Sequence, residues 1–403
     1  MDFKPDVVLI VGAGFSKNAG LPLANQFTEW LLDTTELSPA GPSVAQVEFL
    51  KKFVSATFNG GVDTPHTDWP ELEDIFTLID LSANTGHHLG RDYSAANLRV
   101  VRRAMIVRIV RMLEQTYKSQ LSRRATPTSA ALNTLFDDLQ LDNTSVLSMN
   151  WDLVIERGVA KRQSVEHVDY GNRARAVKFE NEDVKTRSRP RPDDEVLHLL
   201  KPHGSINWLY CDACRELFWV RPPQTERVAR TLFQQRDWHA VLGQPPTMAP
   251  PKSIQPNCPH CRSQSLGTRI ATFSFRKALD FPMHAATWST AEAHLKRAGH
   301  WVFFGYSMPA ADFEFKYLLK RVQLTERTTP EITVITGGDP PAAQDTINRY
   351  KKFFGEVPDE RHYFRDGLTT EVIDHLRDIG ALREKPPATT TPSRSRPTGR
   401  RGL

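Results

Sequence analysis

The chain has 403 residues, 39% hydrophobic and 25% charged, enough for one large or two ordinary domains with a packed core. Its formal net charge of +5 is matched by Lys385, Arg394, Arg396, Arg400 and Arg401 in an acid-free stretch at residues 385–403, so direct nucleic-acid binding by the folded body is not expected. No apolar run approaches a bilayer span, and the start lacks a signal peptide's basic-then-apolar layout, so a cytoplasmic protein without a membrane partner is expected.

Val7-Val8-Leu9-Ile10-Val11 is an unbroken apolar run rich in β-branched residues, which suits a strand buried on both faces of a parallel sheet. Gly12-Ala13-Gly14-Phe15-Ser16 follows at once, with Gly20-Leu21-Pro22 beyond it, and a helix is expected from about Pro22 through Phe27, Trp30 and Leu31. A strand, a glycine turn and a helix start together make an anion site, because free N–H groups and the helix dipole favour negative charge. Lys17 stands where the third glycine of a dinucleotide fingerprint would be, so the motif is incomplete.

Residues 34–65 read as mixed and loop-rich. A helix is predicted over about 70–79, with proline and acids in its first turn. Another is predicted over about 95–120, where Leu98, Val101, Met105, Ile109, Met112 and Leu113 recur at helical spacing. Arginines fill many of its gaps, as a solvated basic face or as a subunit interface. A third helix is expected near 129–139. A short strand then ends in Met149-Asn150-Trp151-Asp152. Residues 157–195, charged and holding Arg189-Pro190-Arg191-Pro192, read as a long, partly mobile loop. The strand Val196–Leu200 ends in Lys201-Pro202-His203-Gly204.

Cys211-x-x-Cys214 and Cys258-x-x-Cys261 carry the most specific chemistry in the chain. Two short knuckles of thiolates give the tetrahedral set of a structural zinc, and four cysteines leave no open position for catalysis. A helix is expected in the intervening stretch near 227–239, and His260 reads as a bystander. Beyond the knuckles α/β order resumes. A helix over about 283–298 leads to a strand at 300–304 ending in Gly305-Tyr306-Ser307. Asp312 reads as the start of the next helix. A strand at 332–335 ends in Gly337-Gly338-Asp339, before a helix, a last strand near 362–364 and a last helix near 369–376. The tail at 385–403 reads as disordered.

Strand ends of this kind converge on one crevice in a doubly wound sheet. The set Gly12-Ala13-Gly14-x-Ser16 with Gly20-Leu21-Pro22, then Asn150-x-Asp152, His203-Gly204, the paired Cys-x-x-Cys and Gly305-x-Ser307 resembles the sirtuin family over about residues 5–345. The wording Lys-Pro-His-Gly-Ser-Ile-Asn-Trp and Gly-Tyr-Ser-Met-Pro looks most like the divergent bacterial sirtuin-like proteins that degrade NAD in antiphage defence. The resemblance implies an α/β fold: a Rossmann-like parallel sheet with helices on both faces, spanning 1–205 and 265–384. It also implies a helical insertion at about 66–140 and an inserted zinc-ribbon module at 206–264. Two departures stand out. Leu23-Ala24-Asn25 replaces the usual Asp-Phe-Arg, and Thr272–Arg276 lacks the Gly-Glu pair with which deacylases hold an acyl-lysine peptide.

By the same resemblance the chemistry is cleavage of the nicotinamide–ribose bond of NAD. Asn150 would hold the ribose and orient water, Asp152 would accept from the carboxamide, and His203 would act as base. Gly12, Ala13, Gly14, Ser16 and Gly20 would form the pyrophosphate side. Gly305, Ser307 and Asp339 would meet phosphate and ribose. Cys211, Cys214, Cys258 and Cys261 would hold Zn2+. On their own, Asn150 could equally cap the following helix and His203 could be a hydrogen-bonded loop residue. Three functions fit: an NAD+ hydrolase, an NAD-dependent protein deacylase, and a non-catalytic NAD-sensing assembly subunit. A homo-oligomer is expected, with a separate HerA-type translocase ATPase or an Argonaute-type protein as possible partner.

Overall fold

The computed structural model describes residues 3–35, 37–38, 41–59, 69–120, 126–243, 246, 248–267, 282–310, 312–325, 329–355 and 360–384. Its strands are β1 (Val7–Val11), β2 (Thr144–Ser148), β3 (His167–Asp169), β4 (Arg175–Glu180), β5 (Asp183–Thr186), β6 (Val196–Leu200), β7 (Trp208–Cys211), β8 (Leu217–Val220), β9 (Leu266–Gly267), β10 (His300–Phe304), β11 (Glu331–Ile335) and β12 (Tyr363–Phe364). Seven of them form one parallel sheet in the order β12-β11-β10-β1-β2-β6-β3. β1 lies at its centre, with Leu9 opposite Val302 of β10 on one side and Val146 of β2 on the other.

Every side chain of β1 is buried, and successive residues enter different cores. Val7, Leu9 and Val11 join Val302, Phe304 and the helices Leu72–Thr85, Ala95–Gln120, Pro127–Asp138 and Thr370–Asp378. Val8 and Ile10 join Trp301, Phe303 and the helices Pro282–Arg297, Phe313–Thr325 and Pro340–Phe354. This is why the run is apolar without alternation: with helices on both faces, no position is left for a polar side chain. Burial stabilises by about 1.5–3 kcal/mol for each such aliphatic side chain. The chain moves from β1 to β2 on one side and later returns to β10 on the other, so the direction of winding reverses between β1 and β10. Ligands of such sheets sit where this reversal opens a crevice at the carboxyl ends.

A second sheet, ordered β5-β4-β8-β7-β9, carries the cysteines on and beside β7. It recruits residues 175–186, which the sequence suggested were loop. Their alternation explains it: Val177, Phe179 and Val184 face inward while the charged residues between them face water. The stretch 157–195 also holds the end of the helix Val154–Gln163 and the edge strand β3, so it is largely structured.

Two further expectations are corrected and one helix is added. Residues 34–65 contain the helix Pro42–Val54, with proline at its first turn and Val47, Leu50, Phe53 and Val54 on its buried face. The helix expected from about Pro22 is present as a 3-10 turn, Ala24–Gln26, that runs on into Phe27–Leu32, and a further short helix, Ala13–Lys17, starts straight after Gly12. The arginines of Ala95–Gln120 are not a solvated face. Arg103 pairs with buried Asp237 at 2.6 Å, and Arg108 donates to the carbonyls of Leu31 and Asp33 at 3.2 and 2.8 Å. Burial lowers the Arg108 guanidinium to about 10. Arg108 thereby satisfies carbonyls at the end of Phe27–Leu32 that would otherwise be orphaned, and Arg103 neutralises a buried carboxylate. The tail at 385–403 and Thr272–Arg276 lie outside the described residues.

Candidate active site

At the reversal point two backbones touch. The Gly12 N–H donates to Phe304 O at 3.1 Å and the Gly14 N–H to Gly305 O at 2.9 Å. A Cβ on Gly12 would stand 2.7 Å from Gly305 O, and one on Gly14 would stand 2.8 Å from Gly305 Cα. Gly305 has φ +62°, and its Cβ would fall 2.1 Å from Phe15 N. The glycines are therefore required by main-chain contact. The expectation that the amides of Gly12 and Gly14 cradle a phosphate is corrected, since both are turned into the protein. Ala13 sits between them, half-buried.

Beside this contact, residues from β1 and β2 meet. Ser16 Oγ donates to Asp152 Oδ2 at 2.6 Å and accepts from Asn150 Nδ2 at 2.9 Å. Asn150 Nδ2 also donates to Gly12 O at 2.8 Å. Asp152, rather than Asn150, serves the next helix, its Oδ1 accepting from Val154 N at 2.9 Å. Asn150 and Asp152 are half-buried, so each keeps a face toward solvent.

His203 enters from the end of β6. Its Nδ1 lies 3.3 Å from Met149 O, the residue before Asn150. A carbonyl can only accept, so in the neutral ring this nitrogen carries the proton and Nε2 the lone pair. Nε2 lies 4.0 Å from Asp312 Oδ1, and Asp312 Oδ2 accepts from the Tyr306 hydroxyl at 2.9 Å. Burial, with Asp312 adding to it, holds the Tyr306 phenol well above its ordinary range, so it stays a donor. The Trp288 ring lies 6.3 Å from the imidazole, and its buried N–H has no hydrogen-bond partner among the described residues.

A buried network joins the two loops from behind. Lys201 Nζ contacts Asp152 O, Glu156 Oε1 at 3.0 Å and Ser205 Oγ at 2.9 Å. Burial raises the Glu156 carboxyl, with Lys201 pulling the other way. Leu153 N donates to the Tyr117 hydroxyl at 2.8 Å, which ties the Asp152 loop to the long helix. Lys201, Glu156, Tyr306 and Trp288 were not picked out from sequence. Lys201 lies two residues before His203, which was the available signal.

The remaining predicted residues share this end of the sheet. Ser307 is exposed, with its carbonyl accepting from Arg349 Nε at 3.0 Å. Asp339 is exposed at the start of Pro340–Phe354, and Gly20 is exposed with φ +80°. A groove of about 1640 Å³ opens at the opposite, amino end of the strands, lined by Phe3, His167, Asp169, His198 and Arg377 among others; none of the cluster residues lines it.

The four sulfurs of Cys211, Cys214, Cys258 and Cys261 lie within 4.8 Å of one another. The Cys211–Cys261 and Cys214–Cys258 pairs are 3.6 and 3.8 Å apart. Corners of a tetrahedron with Zn–S of about 2.3 Å stand about 3.8 Å apart, so the set fits zinc. The knuckles repeat one design. Arg215 N donates to Cys211 O at 2.8 Å and Arg262 N to Cys258 O at 3.0 Å, with both arginines at positive φ. Burial and the neighbouring thiols push Cys214 up to about 12. Burial also acts to raise Cys211, but the Ser265 hydroxyl and nearby amides outweigh it and bring the thiol to about 7. Crowded thiols that cannot all ionise alone are what a cation resolves. His260 is exposed and outside the set.

No family model matches the chain, and no curated protein matches it. Among solved structures it is similar to one described as "Sir2-p53 peptide-NAD+", at 12% identity over 93% of this chain and 91% of that one, with a TM-score of 0.34. It is also similar to one described as "Sir2 bound to acetylated peptide", at 12% identity over the same shares, with a TM-score of 0.33. A third, Sir2 in complex with EX-527, 2'-O-acetyl-ADP-ribose and deacetylated p53 peptide, is 13% identical over the same shares, with a TM-score of 0.30. These likenesses are distant.

Proposed function

We propose that the chain is an NAD-using enzyme that hydrolyses the nicotinamide–ribose bond of NAD+, giving nicotinamide and ADP-ribose. The observation that carries this is the Asn150–Ser16–Asp152 cluster at the carboxyl ends of β1 and β2, with His203 at the end of the neighbouring β6 held on the carbonyl of Met149, the residue before Asn150. The transition state resembles an oxocarbenium ion, so it needs a held ribose and stabilised positive charge more than a strong base. Asn150 holds the ribose and orients water. Asp152 accepts from the nicotinamide carboxamide. His203, an imidazole whose ordinary value is about 6.5, takes the proton. Ala13 and Ser16 face the pyrophosphate, and Ser307 and Asp339 face phosphate and the adenosine ribose. Zn2+ on the four cysteines secures the second sheet and takes no part in the reaction. In a cell this turnover depletes NAD, which suits a role in antiphage defence as an oligomer gated by a separate ATPase or Argonaute-type sensor.

The test is chromatographic. Purified protein, alone and with a candidate sensor, is incubated with NAD+. ADP-ribose and nicotinamide are expected in equal amounts, and His203→Ala or Asn150→Ala should lower the rate by about a hundredfold or more. Absence of turnover under every activating condition would sink the reading. Acyl-ADP-ribose formed only with an acylated peptide would replace it with a deacylase.

A further inference from the structure

We propose that the outer face of the helix Phe313–Thr325 docks a second copy of this chain, the two helices packing antiparallel about a two-fold axis that passes beside Tyr317. This helix is apolar on two opposite sides. Phe315, Leu318, Leu319 and Val322 are buried in the core that Trp301, Phe303 and Tyr350 share on one face of the parallel sheet. Phe313, Tyr317 and Leu324 are 65%, 64% and 77% exposed. With 3.6 residues per turn these three fall within about 40° of one another, nearly opposite the buried set. Among the described residues, the other exposed large apolar side chains are Leu78 and Leu81, at 37% and 42%. A helix with one apolar stripe in the core and a second in water presents the second to a partner.

The stripe is already set for contact. Lys316 lies over the Phe313 ring at 5.8 Å and Arg321 over the Tyr317 ring at 5.2 Å, so the rings have little freedom left to lose on docking. At about 200 Å² for each side chain, the three offer roughly 400 Å² per copy, half of the about 800 Å² per partner that a stable dimer covers.

Charge on the flanks points to a second copy as the occupant. A two-fold axis between antiparallel helices sets like flank against like flank with the residue order reversed. Glu314 and Arg321 lie two turns apart on one flank of the stripe. Centred beside Tyr317, the pairing brings Glu314 of each copy level with Arg321 of the other and sets Tyr317 across from its own copy. Phe313 then meets Leu324 within a turn. The face is thus complementary to itself in charge as well as apolar. Arg321 is 41% exposed while paired with Glu292 of Pro282–Arg297, and a guanidinium has donors for a second carboxylate. The lysines are drawn aside: Lys320 donates to Gln323 Oε1 at 2.7 Å and to Phe353 O, and Lys316 to Ala310 O at 3.4 Å. This deepens the oligomer of the proposed function without depending on NAD cleavage, and its test reads mass rather than turnover.

The test is sedimentation or light scattering of the full zinc-loaded chain at tens of micromolar. Wild type should run as a dimer or a multiple of one. Phe313→Asp and Leu324→Asp, at exposed positions where thermal melts should not change, should halve the mass and weaken association about a hundredfold. Glu314→Arg and Arg321→Glu should each weaken it less. An equimolar mixture of those two should regain the wild-type mass, because every contact then sets arginine against glutamate. Tyr317→Cys should cross-link to its copy on mild oxidation, with wild type as the blank for the zinc cysteines. Leu324→Cys, about 20 Å from its copy in this register, should not. A monomeric wild type, or an unchanged mass in Phe313→Asp and Leu324→Asp, overturns the proposal; a different protein found on the stripe would then be its occupant. A mixture of Glu314→Arg and Arg321→Glu that gains nothing over either alone overturns the antiparallel pairing.

Discussion

Each cysteine knuckle closes within five residues, by a hydrogen bond from Arg215 to Cys211 or from Arg262 to Cys258. The polar cluster closes over far longer distances: Ser16 and Asp152 are 136 positions apart, and His203 reaches Met149 across 54. A knuckle thus needs only its own turn, whereas the cluster needs the register of β1, β2, β6 and β10. The first is a local geometry that a cation would lock. The second is a by-product of the sheet, and its precision depends on whatever braces the strand ends.

The largest expected effect separates the two. Removing the metal with a chelator should free β7–β9 to open, because apparent zinc-binding energies in small metal-folded units run to about 10 kcal/mol or more. Hydrogen exchange should rise sharply there and stay low in β1, β2 and β10. Uniform exchange across both sheets would show that they are one cooperative unit.

The next effect strikes the brace. Lys201→Met leaves Glu156 buried without its partner, which costs about 3–5 kcal/mol. The sign of its pH dependence is set by Glu156. Burial already raises this carboxyl above 4.5, so it favours the folded state at acid pH and that contribution is lost as pH rises through the raised value. Without Lys201 the rise is larger, so the variant's deficit should be greater at pH 8 than at pH 5.5. Urea melts at the two pH values measure this; an equal deficit at both would mean that Glu156 is not the group responsible.

The smallest effect is a control on the knuckle. His260→Ala should retain one metal ion per chain and change stability by no more than about 0.5 kcal/mol, because the side chain is exposed and outside the sulfur set. Loss of metal in this variant would make the histidine a ligand.

Legibility follows the same division. The knuckles were readable because their chemistry lies in adjacent residues. β1, β6, β10 and β11 were readable because strands covered on both faces are largely apolar runs that end abruptly in small or polar residues, and β2 by its Val146-Leu147 pair before Asn150. β3 was not, since His167-Val168-Asp169 is a three-residue edge with a single aliphatic side chain. Pro42–Val54 had a helical pattern, but Gly41 and Pro42 at its head read as loop. Asn150, Asp152 and His203 could be named only through a pattern spread along the chain. Asp312 was seen as a helix start, and its other side becomes visible only when β6 and β10 bring His203 and Tyr306 to it.

The contact of Gly12 and Gly14 with Gly305 has one more consequence. Because the floor of the crevice is main chain pressed on main chain, its width is set by atoms that every amino acid shares. On the proposed function, exchange of Ser307 or Asp339 should change ligand preference while the glycine contact keeps its dimensions. A library randomised at the three floor positions should return glycine at each, and one randomised at the rim should return variety.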